Sequence, residues 1–78
     1  MFNGKKLKQL RIKKGITQEQ LGNVIGVSNK MVNFIESGLR EPTLKSAYMA
    51  AKYLEVSTDD LMFDDDSIFD IFGINEAN

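Results

Sequence analysis

Between Gln18 and Ser37 the chain reads QEQLGNVIGVSNKMVNFIES, with apolar residues Leu21, Ile25, Val27, Val32 and Ile35 in two runs at helical spacing. Each run has one apolar stripe and one polar face, which predicts two short amphipathic helices joined by a sharp turn. Thr17 and Gln20 form a T-x-x-Q capping box at the first start, with Ile16 placed to staple onto Leu21. Ser28 is the expected N-cap of the second helix, with Val27 placed to staple onto Val32. Gly26 falls where a helix ends in a left-handed cap, and Gly22, lacking a side chain, lets a second helix cross the first closely.

The same reading extends to both sides. Gly4 to Lys14 is predicted as a first helix with Leu7 and Leu10 inward and Lys5, Lys6, Lys8 and Lys13 outward; Arg11 lies on the inward side, and Gly15 ends the segment. Gly38 to Pro42 is a loop opened by a left-handed cap at Gly38. Thr43 then caps a fourth helix whose inward positions are Leu44, Ala47, Ala50, Ala51 and Leu54, the small alanines implying close packing. Val56, Ser57, Asp60 and Leu61 make a third staple and an S-x-x-D box, starting a short fifth helix that ends near Phe63. The expected architecture is all-α: a compact bundle of about five short helices over residues 1–63, with the central motif at 18–37, followed by a tail at 64–78.

That tail is acidic and then apolar. Asp64 to Asp66 reads as a solvated turn, because adjacent carboxylates lack the spaced ligands and turn glycine of a calcium loop. Ile68, Phe69, Ile71, Phe72 and Ile74 are too apolar to be left in water, so their own domain, a second subunit or another protein should cover them.

Composition narrows the function. A chain of 78 residues holds one domain with a modest core. Without Cys or His it lacks thiolate chemistry, a disulfide framework and the most versatile acid-base group and metal ligand. No nucleophile, base and phosphate loop can be assembled from the remaining residues, so neither an enzyme, a cofactor nor a metal is expected. The N-terminus lacks the apolar core of a signal peptide and no run is long enough to span a bilayer, which fits a cytoplasmic protein that does not engage membranes. The net charge of −1 conceals a segregation: residues 1 to 54 carry all ten Lys and Arg against three acids, and residues 55 to 78 carry the other eight acids and no base. The motif-bearing part is basic enough to approach phosphates, and the acidic end should face away from them.

The residues RIKKGITQEQLG, then VS followed by IESG, then EPTL and LEVSTDDL, resemble in order and spacing the phage-repressor type of helix-turn-helix, the Cro and Xre-like family, from about Lys5 to Phe63. The resemblance implies a bundle of four or five helices that docks its second motif helix in the major groove of double-stranded DNA, usually as a dimer. It also implies an ion pair between Arg11 and Glu36.

On a helical wheel, residues 29 to 37 place Met31, Val32 and Ile35 on one arc and Asn29, Lys30, Asn33, Phe34 and Ser37 on the other, the candidate reading face. Asn can bind adenine bidentately, and Lys can contact guanine or a phosphate. Phe34 departs from the usual polar residue: its ring either touches a thymine methyl or deoxyribose, or leans toward Met31 and closes the core. Gln18 and Ser28, at the starts of the two motif helices, are expected to hold phosphates. Arg40, in the loop that the resemblance places beside the DNA backbone, is either a phosphate ligand or a partner of Glu41.

These features point to a sequence-specific transcriptional regulator, a repressor acting by occupying a palindromic operator as a homodimer. Leu61, Phe63, Ile68, Phe69, Ile71 and Phe72 form the expected dimer surface. The alternative is a protein-interaction module of antitoxin-like or anti-repressor-controlled type, whose tail engages a regulatory protein.

Overall fold

Four α-helices and one 3-10 helix account for the regular structure of the computed structural model, which describes residues 1–63: α1 (Gly4–Lys13), α2 (Gln18–Ile25), α3 (Asn29–Ser37), α4 (Leu44–Tyr53) and the 3-10 helix Thr58–Leu61. Each start is fixed by a short polar side chain accepting a backbone N–H that the helix cannot satisfy itself. Asn3 caps α1, Thr17 α2, Ser28 α3, Thr43 α4 and Ser57 the 3-10 helix. At Thr17 with Gln20, and at Ser57 with Asp60, both reciprocal bonds of the capping box are made. Gly26 and Gly38 end α2 and α3 at φ +78° and +86°, a region that a Cβ disfavours.

The apolar stripes converge on one core. Leu7, Leu21, Val32, Ile35, Leu54 and Leu61 are fully buried, each contributing about 1.5–3 kcal/mol by leaving water. Ala47, Ala50 and Ala51 join them, with Ile16, Val24, Val27 and Met31 partly buried around the edge. The helices α2 and α3 pack on each other, α4 packs on α2, and α1 packs on α3. Two glycines allow the closest approaches. A Cβ on Gly22 would lie 2.6 Å from the Val27 carbonyl oxygen and 3.3 Å from Val32 Cγ2, and one on Gly4 would collide with the Ile35 carbonyl. Gly22 thus makes room for the turn as well as for a crossing helix.

The structure departs from the sequence reading at its ends. The fifth element is a four-residue 3-10 helix that stops at Leu61. Beyond it Met62 is extended and forms an antiparallel bridge with Phe2; Asn3 N–H donates to the Leu61 carbonyl at 2.7 Å and Phe63 N–H to the Met1 carbonyl at 3.0 Å. Pairing with the N-terminal segment takes up the backbone groups that another helical turn would have used. It also draws Phe2, which no pattern had marked, into the core at 7% exposed.

Leu61, expected on a dimer surface, is 0% exposed within its own core, and Phe63 is half-buried. Leu44, expected inward, is 84% exposed, because at the first position of α4 it stands a turn ahead of the buried positions Ala47, Ala50 and Ala51. The first helix closes at Lys13 and not Lys14. Ile68, Phe69, Ile71 and Phe72, the rest of the expected dimer surface, lie outside the described residues, as do Asp64 to Asp66.

Candidate nucleic-acid interface

The turn between α2 and α3 is short because both of its ends are held locally. Val27 N–H returns to the Gly22 carbonyl at 2.9 Å, and Ser28 Oγ accepts from Met31 N–H at 3.0 Å. A hydroxyl that accepts a capping bond keeps its own hydrogen to donate, so Ser28 remains able to meet an anionic oxygen at the start of α3. On the core side, Val32 and Ile35 are buried. On the other, Asn29, Lys30, Asn33 and Ser37 are exposed in one continuous face, and Phe34 is half-buried at its edge. Lys30 Nζ sits 5.6 Å from the centroid of the Phe34 ring, while Ser37 Oγ donates to the Phe34 carbonyl at 3.1 Å.

The orientation of α3 relative to α1 and α2 is fixed by a buried carboxylate. Glu36 Oε2 accepts from Arg11 Nε at 2.6 Å, and Glu36 Oε1 accepts from both Arg11 Nη2 at 3.1 Å and Gln18 Nε2 at 3.0 Å. Arg11 Nη1 donates to the Ile16 carbonyl at 2.7 Å, so the guanidinium bridges α1, the loop before α2, and α3. Arg11 and Glu36 are 8% and 6% exposed. A buried pair of this kind adds little net stability over an apolar replacement, but it specifies the angle between the elements that carry it.

Sequence reasoning placed Gln18 toward phosphate. One of its amide hydrogens is donated to Glu36, and its carbonyl and second hydrogen lie outside that bond. Arg40 is exposed and its backbone N–H donates to the Phe34 carbonyl at 3.2 Å; among the described residues its side chain forms no ion pair with Glu41. One buried polar contact had no sequence signal beyond a small polar residue beside an alanine stripe. Ser46 Oγ donates to the Ile25 carbonyl at 3.1 Å, satisfying one of the terminal acceptors of α2 and anchoring the motif to α4.

This arrangement presents a helix with two amides and a cation on its free face, flanked by Arg40 and Ser28. It can hydrogen-bond to base edges and phosphate oxygens. Among the described residues no cluster of carboxylates is spaced to hold a metal, and no helix is long and apolar enough to cross a membrane.

Comparison with known proteins agrees with this geometry. The helix-turn-helix family model matches residues 7–61. An uncharacterised HTH-type transcriptional regulator of Archaeoglobus fulgidus is 34% identical over 65 residues, which cover 82% of this chain and 93% of the relative. The P22 c2 repressor, solved in complex with a synthetic operator, superposes with a TM-score of 0.74 at 31% identity, covering 80% of this chain and 94% of the solved repressor chain. SinR, a master regulator of biofilm formation solved with DNA, superposes with a TM-score of 0.67 at 29% identity, covering 74% of this chain and 94% of the solved SinR chain.

Proposed function

The chain belongs to the helix-turn-helix family of DNA-binding transcription regulators, and from that premise we propose that it is a sequence-specific repressor acting by operator occupancy. The observation that carries this reading is the exposed face of α3, where Asn29, Lys30 and Asn33 stand together on a helix locked from behind by Glu36, Arg11 and Gln18. Asn29 and Asn33, one helical turn apart, address neighbouring base pairs, and Lys30 supplies a cation between them. Ser28, the α2 end at Gln18, Ser37 and Arg40 flank that face and hold the backbone on either side. The similarity to the P22 c2 repressor, solved with a synthetic operator, and to SinR, solved with DNA, supports DNA binding by this chain.

A single copy reads few base pairs. Two copies related by a two-fold axis read half-sites about 34–36 Å apart and gain specificity from simultaneous engagement. On this reading the second copy is met through the apolar segment containing Ile68, Phe69, Ile71 and Phe72, leaving α3 free for DNA. Selection of bound duplexes from random sequence tests the whole scheme. A palindromic consensus is the expected result; recovery of unselected sequence, or of a single unpaired half-site, would count against the sequence specificity or the two-fold use respectively.

A further inference from the structure

The exposed face of α3 contains an internal contact that operator reading by itself does not require. Lys30 Nζ lies 5.6 Å from the centroid of the Phe34 ring, within the distance at which an ammonium is attracted to an aromatic face. The two residues are four apart, so they stand over one another on the same side of the helix. Phe34 is the more enclosed of the pair. It is half-buried, and its carbonyl accepts from Leu39 N–H at 2.9 Å, Arg40 N–H at 3.2 Å and Ser37 Oγ at 3.1 Å, which ties its backbone into the cap of α3. Lys30, in contrast, is exposed. A free lysine loses more rotamer entropy on being ordered than almost any other side chain. A ring beneath its ammonium restricts that freedom before any partner arrives.

We infer that Phe34 is a positioning residue for Lys30: its ring seats the ammonium so that the N–H donors turned away from the ring meet an acceptor of the duplex. The inference rests on the reading of α3 as the DNA-facing helix. The acceptor chemistry is an electron-rich oxygen or nitrogen, supplied either by the O6 and N7 edge of guanine or by a phosphate. This gives the aromatic side chain a role distinct from touching a thymine methyl and from closing the core.

The test is a double-mutant cycle on operator binding with the full chain. Phe34→Leu keeps apolar volume but removes the ring, Phe34→Tyr keeps the ring, and Lys30→Ala removes the cation. Phe34→Leu is expected to weaken operator binding about two- to fivefold, the range of an exposed cation–ring contact. Phe34→Tyr restores it, and Phe34→Leu costs nothing further once Lys30 is Ala. Independent, multiplicative losses overturn the inference, because the ring would then contribute without Lys30. Single-base operator variants identify the acceptor: a Lys30→Ala loss confined to one G·C position assigns guanine, and a uniform loss with a salt slope lower by about one unit assigns phosphate. The free protein offers a second readout. The Lys30 ε-methylene protons are expected to resonate upfield from ring current in the native chain and to return toward ordinary values in Phe34→Leu; unshifted protons in the native chain overturn the seat itself. Failure of the native chain to bind any duplex would remove the DNA reading, an outcome separate from a binding-competent chain in which Lys30 and Phe34 act independently.

Discussion

Gln18 and Arg11 donate to the same oxygen of Glu36, at 3.0 and 3.1 Å, so the first residue of α2 and the inward face of α1 are tied to one carboxylate carried by α3. The bonds span 18 and 25 positions of sequence. They join the start of α2 and the inward face of α1 to α3 through a single carboxylate.

Glu36→Gln retains the shape of that carboxylate but leaves the Arg11 charge buried without a counter-ion. Breaking one side of a buried pair typically costs about 3–5 kcal/mol, whereas replacing both partners with apolar groups is often neutral or better. The expected outcome is a lower urea midpoint for Glu36→Gln and substantial recovery in Arg11→Met with Glu36→Leu. Operator affinity should not recover with it, because the double variant no longer holds Gln18.

Asn33→Ala tests base reading. The residue is exposed, and among the described residues its side-chain amide makes no hydrogen bond. Loss of a bidentate contact should cost about 1–3 kcal/mol at the preferred operator and leave binding to random duplex nearly unchanged. Competition measured on both DNAs makes the distinction; equal losses on the two would remove Asn33 from the reading set.

Arg40 tests the electrostatic part. Operator binding should fall steeply with salt as Lys and Arg displace condensed counter-ions. Arg40→Ala should weaken all sequences alike and lower the slope of log affinity against log salt by about one unit. An unchanged slope, measured by titration at several salt concentrations, would mean that Arg40 does not sit on a phosphate.

Gly4→Ala sets packing against propensity. Alanine is the better helix former by about 1 kcal/mol, so a solvent-facing position would gain stability. Here the added methyl group meets the Ile35 carbonyl where α1 abuts α3. Forcing atoms into such a contact costs about 1–3 kcal/mol, and thermal or urea unfolding should therefore show a net loss. A stabilised variant would indicate that the two helices part easily.

The features legible in the sequence are those whose causes lie within three or four residues. Thr17 with Gln20, Ser28, Thr43 and Ser57 with Asp60 cap their own helices, and Gly26 and Gly38 end them, because a cap is a bond between near neighbours and a left-handed residue is a local necessity. The exposed face of α3 is legible for the same reason, since periodicity alone separates Asn29 and Asn33 from Val32 and Ile35. Periodicity says which side is apolar, but not what meets it. Tertiary structure decided that Leu61 belongs to the monomer core, that Leu44 does not, that Phe2 joins through its bridge to Met62, and that Gln18 turns to Glu36. Each of these depends on the meeting of segments distant in sequence, and a residue at the end of an element, as Leu44, Leu61 and Gln18 are, has its surroundings set by whichever distant segment arrives there.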